Sequence, residues 1–162
     1  MGLYRAVSNG LTVAANPTDV VTIIGSPTRL TRVFSIELVN FQTTFGINTW
    51  YILKRTSLNT YSTLPTAMTA IAYDSSDPAA TSACAFLTVN PTSHGSSAGI
   101  MSVSGSGSPS TTTVMDNANF TFDFRDNPIL LRGSSELLSL NFAGAAKPAG
   151  FTLSVAVIFD EA

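Results

Sequence analysis

The chain carries few side chains suited to chemistry, and their spacing decides how each is read. His94 is the only histidine and lies in Ser93-His94-Gly95-Ser96. A nucleophile–histidine–acid arrangement needs the imidazole held between its two partners, and a Gly/Ser loop holds it poorly. His94 therefore reads as a solvated loop residue. Cys84, the only cysteine, sits in the apolar run Ala83-Cys84-Ala85-Phe86-Leu87. A reactive thiolate needs a basic or helix-N-terminal neighbourhood, so a buried small hydrophobe is expected instead. Zinc normally takes four Cys/His-type ligands, and this chain has one of each.

The acids are harder to dismiss. Asp74 and Asp77, or Asp116, Asp123 and Asp126, could gather oxygens around calcium, but their spacing does not fit the twelve-residue EF loop. Asp116-Asn117 and Asp126-Asn127 are more simply turn residues that bond their own backbone. Glycoside hydrolysis needs a paired acid and base; Glu37, Glu136 and Glu161 each stand at a strand's polar position or an end, and none is singled out. Gly105-Ser106-Gly107 precedes neither a lysine nor a helix, so it is no phosphate loop. No catalytic, cofactor-binding or metal-ligating residue is assigned. The chain is not expected to be an enzyme or to need a cofactor. Trp50, Tyr51, Tyr61 and Tyr73 offer rings on which a sugar could stack. In a strand, however, Trp50 and Tyr51 point to opposite faces amid apolar neighbours, which favours core packing for one and interface burial for the other.

The elements that would position these residues are strands. Asn119 to Arg125 alternates cleanly, with Phe120, Phe122 and Phe124 on one face. Phe151, Leu153, Val155, Val157 and Phe159 repeat the pattern, as do Leu138, Leu140 and Phe142. Upstream, Leu30, Phe34, Ile36 and Leu38 alternate with Thr31, Val33, Ser35 and Glu37, and a strand over Phe45–Lys54 looks covered on both sides. Asn16-Pro17, Gly25-Ser26-Pro27, Asn90-Pro91, Asp126-Asn127-Pro128 and Lys147-Pro148-Ala149-Gly150 break these runs at short intervals. Short strands, frequent turns and scarce helix formers predict an all-β, single-domain antiparallel jelly-roll-like β-sandwich of eight or more strands. Residues 1–16 are expected to form an N-terminal arm or first strand. The sandwich domain spans residues 17–162, with a long Gly/Ser-rich loop or hairpin projecting at 92–113.

Composition adds a puzzle. Of 162 residues 44% are apolar and only 11% charged, with a net charge of −2. Soluble domains usually have about 25% charge. Serine and threonine, 20 and 21 residues, fill the gap. The scattered charges offer no basic stripe for nucleic acid. Ten phenylalanines among abundant apolar residues argue against disorder. No signal peptide or membrane-spanning run is readable, so neither secretion nor membrane association is expected. A folded chain with so little charge is expected to bury part of its surface against protein.

Four stretches carry a likeness to a known group: Ile52-Leu53-Lys54-Arg55-Thr56-Ser57, then Tyr73-Asp74-Ser75-Ser76-Asp77-Pro78-Ala79-Ala80-Thr81. After them come Asn127-Pro128-Ile129-Leu130-Leu131-Arg132-Gly133-Ser134-Ser135-Glu136-Leu137-Leu138-Ser139-Leu140-Asn141-Phe142 and Pro148-Ala149-Gly150-Phe151-Thr152-Leu153-Ser154-Val155. In this order the chain resembles the head decoration (cement) proteins of tailed bacteriophages, which have a jelly-roll fold. The resemblance implies a trimer seated on the capsid surface, with the major capsid protein as partner and assembly in the host cytoplasm. It brings no catalytic residue. The alternative expectation is a glycan- or host-surface-binding sandwich, a tail or fibre component using Trp50 and the tyrosines.

Overall fold

The computed structural model describes residues 2–42, 46–107 and 116–162. Among these residues it contains twelve strands and no helix, in two packed antiparallel sheets. The first sheet is built from β1 (Gly2–Leu11), β3 (Thr31–Gln42), β6 (Ala70–Ala72), β9 (Asp116–Asp123), β10 (Ile129–Leu131) and β12 (Thr152–Glu161). The second contains β2 (Asp19–Ile24), β4 (Ile47–Arg55), β5 (Thr66–Met68), β7 (Ala83–Phe86), β8 (Ser97–Gly107) and β11 (Leu137–Asn141).

The long strands run β1-β12-β3-β9 in one sheet and β2-β11-β4-β8 in the other. Successive long strands cross from sheet to sheet, except β4 to β8, which are neighbours. This is the winding of a jelly roll. The short strands β5 and β7 widen the second sheet beyond β2, and β6 widens the first beyond β1.

Alternation decides which side chains enter the core. Leu153, Val155, Val157 and Phe159 of β12 are all buried against Leu138 and Leu140 of β11 in one apolar cluster, and Phe122 joins them with Phe120 and Phe124 packed alongside. Trp50 is fully buried, with its ring edge-on to Phe120 and Phe142 at 4.4 and 6.1 Å.

Two expectations require amendment, and a third narrows to one of its two alternatives. In β3 the register shifts against Ile158/Phe159, so that Val33 joins Ile36 and Leu38 inside while Phe34 stays half-exposed. A bulge adds one residue and flips the alternation. At 92–113, Ser97–Gly107 is a strand, β8, paired along its length with β4, and not a projecting loop. Its Ser/Gly composition hides a period-two pattern that the β4 ladder fixes. Residues 108–113 lie outside the described residues, as does Phe45. At the start of the chain, Gly2–Leu11 is an internal strand between β12 and β6, so the strand alternative to an arm is the one that forms.

Candidate functional site

Three carboxylates are buried among the described residues: Asp160, which pairs with Arg32, and Asp19 and Glu161, whose several donors merit a functional test. Asp19 opens β2. Ser139, which alternates with core-facing Leu138 and Leu140, turns towards the outer face of the second sheet, and Asp19 meets it there at 3.2 Å. Arg55, the last residue of β4, donates two hydrogen bonds to the Asp19 carboxylate at 3.1 and 3.0 Å. Asn59 donates a third at 2.7 Å, and Asn141 a fourth. Burial alone would raise the Asp19 pKa, but the hydrogen bonds from Arg55, Asn141 and Asn59 outweigh it and hold the carboxyl below its ordinary range.

The centre is roofed by the chain itself. Residues 56–60 and 92–96 run together across it, tied by Thr56 N–H to Ser96 C=O at 2.9 Å and Thr60 N–H to Ser93 C=O at 3.0 Å. Gly95 closes the roof: its N–H donates to Asn59 Oδ1 at 2.9 Å and its carbonyl accepts from Arg55 at 3.0 Å. A Cβ at Gly95 would collide with the Ser57 carbonyl, so the close approach itself requires glycine.

Glu161 forms the second centre, near the end of β12. It accepts from the N–H groups of Thr81 and Ser82, from the Thr81 hydroxyl at 2.9 Å and from Arg29 at 3.3 Å. Its side chain is fully buried. Burial would raise its pKa, but the Ser82 and Thr81 donors prevail and lower it. Both carboxylates have their oxygens filled by fixed donors. Such centres hold strands and loops together and leave no oxygen aimed at a substrate.

The remaining candidates are dispersed. The His94 imidazole meets the Thr18 hydroxyl at 3.0 Å on an exposed loop. Cys84 is buried, which pushes its thiol up to about 12. Glu136 pairs with Lys54 at 3.0 Å and accepts from Arg132 N–H, while Glu37 pairs with Arg5 at 3.0 Å. Asp74 caps its own turn through Ser76. Among the described residues no three His, Cys, Asp or Glu side chains converge as a metal site. Lys147 is the most unusual amine: burial lowers its pKa to about 8, its Nζ lies 4.0 Å from the Phe142 ring centroid, and it donates to Asn48 at 3.2 Å.

The aromatic set does not form a platform. Trp50 is 0% exposed, which removes it from any sugar-stacking surface and corrects its place in the glycan-binding alternative. Tyr73 is exposed at the opposite lateral edge, beyond β6.

What the structure does present is an open sheet face. On the outer side of the first sheet, Leu3, Val7 and Phe41 are exposed and Phe34, Val39 and Ile158 half-exposed. The charges on that face bond one another: Arg5 pairs with Glu37, and Arg32 with Asp160. Shallow hollows lie between Leu3, Phe34, Arg125 and Ile158 and between Val7, Glu37, Val39 and Ser154. Sequence reading placed no emphasis on Asp19, Arg55 or Glu161. One signal was present for Asp19: it is the only charged residue between Arg5 and Arg29 and opens the apolar run Val20-Val21-Thr22-Ile23-Ile24. A lone charge at the mouth of a buried strand needs a partner.

The fold therefore defines the class of protein: an antiparallel jelly-roll β-sandwich. The chain matches no protein-family model, no curated protein and no solved structure.

Proposed function

We propose that the chain is a structural virion protein that decorates and stabilises a bacteriophage capsid, acting as a homotrimer bound to the major capsid protein. The open outer face of the first sheet supports this reading best. Four long strands at about 4.8 Å spacing and about eight residues at ~3.3 Å give a plane of roughly 500 Å². That is somewhat more than half of the ~800 Å² per partner of a standard protein interface. Its charges neutralise one another in pairs, so a protein surface can cover it without stranding an ion.

The two closed carboxylate centres fit the same reading, because they make the sandwich a stiff plate and consume the polar groups a catalyst would use. Stabilisation then follows from linkage: a protein that binds only the assembled shell shifts the equilibrium towards it. Mass spectrometry of purified virions of the virus encoding this chain tests the proposal. The chain is expected at a fixed ratio to the major capsid protein. Its absence from particles that contain every other structural protein would overturn the reading.

A further inference from the structure

The most exposed large apolar side chains are concentrated in two places. Among the described residues, Leu64 is 84% exposed, Ile71 68%, Ile100 61%, Val103 59% and Tyr73 56%. Ile100 and Val103 belong to β8, the free edge of the second sheet. Ile71 lies on β6, the free edge of the first sheet on the opposite side of the sandwich, and Tyr73 follows it. Leu64, followed by Pro65, stands just before β5, the second sheet's edge on that same side.

The two edges also share an absence. Residues 56–73 contain no Asp, Glu, Lys or Arg, and neither does β8. Natural edge strands are normally guarded by lysine, proline or an inward charge, because an unpaired strand edge is adhesive. β8 is eleven residues long and carries none of these guards.

We infer that these edges are the two halves of one interface, with β8 of one copy docking against the Leu64–Tyr73 edge of a second copy. The occupant is another copy of this chain because the two patches match in chemistry, lie on opposite sides and together leave nothing over when contacts close into a ring. A foreign partner on either edge would leave the other bare. Interface centres are depleted of charge, and the ionic residues Asp123, Arg125 and Asp126 beside β8 stand where a polar rim belongs. The contact is heterologous, so a closed ring with three-fold symmetry satisfies every edge, whereas pairing β8 with β8 would stop at two chains. This rests on the homotrimer proposed above and names the surface that forms it. Ile71, opposite Arg5 in the β1–β6 register, stands at the margin of the open sheet face, and the rest of that face stays free for the shell.

Light scattering on the full chain, wild type and with Val103→Asp or Leu64→Asp, tests the inference. Wild type is expected as about 51 kDa, three 17.0-kDa chains. Each variant alone is expected at the mass of one chain, with an unchanged circular dichroism spectrum. Ile100→Asp and Ile71→Asp serve as a second pair should either first variant fail to fold. A wild-type monomer would overturn the inference. So would a multimer dissociated by variants of one edge only, which signifies an isologous contact. A trimer indifferent to all four variants would also overturn it, yet would leave the capsid reading standing, since particle occupancy is measured separately.

Discussion

The outer faces of the two sheets are built from similar strands and finished in opposite ways. On the second sheet, residues 56–60 and 92–96 cross the face and seal Asp19, Arg55, Asn59 and Ser139 beneath them. On the first sheet, Leu3, Val7 and Phe41 are left to solvent, among the pairs Arg5–Glu37 and Arg32–Asp160, with Arg125 beside Leu3 and Phe34. The cover over the second sheet stops short of β8, where Val103, opposite outward-facing Tyr51, stays exposed. On the capsid reading proposed above, the first face is the one left for an external protein, because an open apolar face on a monomer is an aggregation liability.

The largest test strikes the sealed face. Asp19→Ala leaves the Arg55 guanidinium buried without its counter-ion, and breaking such a pair costs about 3–5 kcal/mol. Urea unfolding is expected to show a loss of that order, or a chain too unstable to isolate. A loss under about 1 kcal/mol would mean the roof excludes less water than the geometry requires.

Acid probes the same centre together with Glu161. Both carboxyls sit below their ordinary values in the fold, so at mildly acid pH the unfolded chain binds more protons than the folded one. Their stabilisation is complete above the unfolded values, about pH 4–4.5, and is lost as pH falls through the lower folded values. The urea midpoint of wild type should drop below about pH 4, and more gently in Glu161→Gln. Parallel curves would show that Glu161 gains nothing from Thr81 and Ser82.

On the open face, Val7→Asp places an acid near Glu37 at the middle of the plane. Particle occupancy is expected to fall at least tenfold, about 1.4 kcal/mol of binding, with stability of the free chain changed by less than about 0.5 kcal/mol. Unchanged occupancy would put the shell contact elsewhere. The smallest effect belongs to Arg5→Ala: its pair with Glu37 is exposed, and such pairs contribute about 0.2–1 kcal/mol. A shift in thermal midpoint near the detection limit is expected in the free chain.

Much of the fold was legible in the alternation of Phe120 to Phe124, Leu138 to Phe142 and Phe151 to Phe159, because a strand covered on one side needs that period. The burial of Cys84 and the loop setting of His94 followed from their neighbours. For 92–113 a hairpin was one of two expectations, but Ser and Gly carry too little hydrophobic signal to show the full length of β8 or its pairing with β4; the β3 bulge escaped because one extra residue inverts a pattern without changing its composition. Asp19 and Arg55 are 36 residues apart and Glu161 reaches back 80 residues to Thr81, so nothing periodic connects them. Pairs of that kind become visible only when the strands are laid side by side.

The scarcity of charge is now attached to particular surfaces: six ion pairs among the described residues take up twelve of the eighteen charged side chains, and residues 56–73 and β8 contain no charged residue. The central claim is that this uncharged surface belongs to protein contacts. The mass of the purified full chain in dilute solution tests it most directly. Three associated chains, about 51 kDa from 17.0 kDa each, is the expected result. A stable, soluble single chain across the concentration range would contradict it.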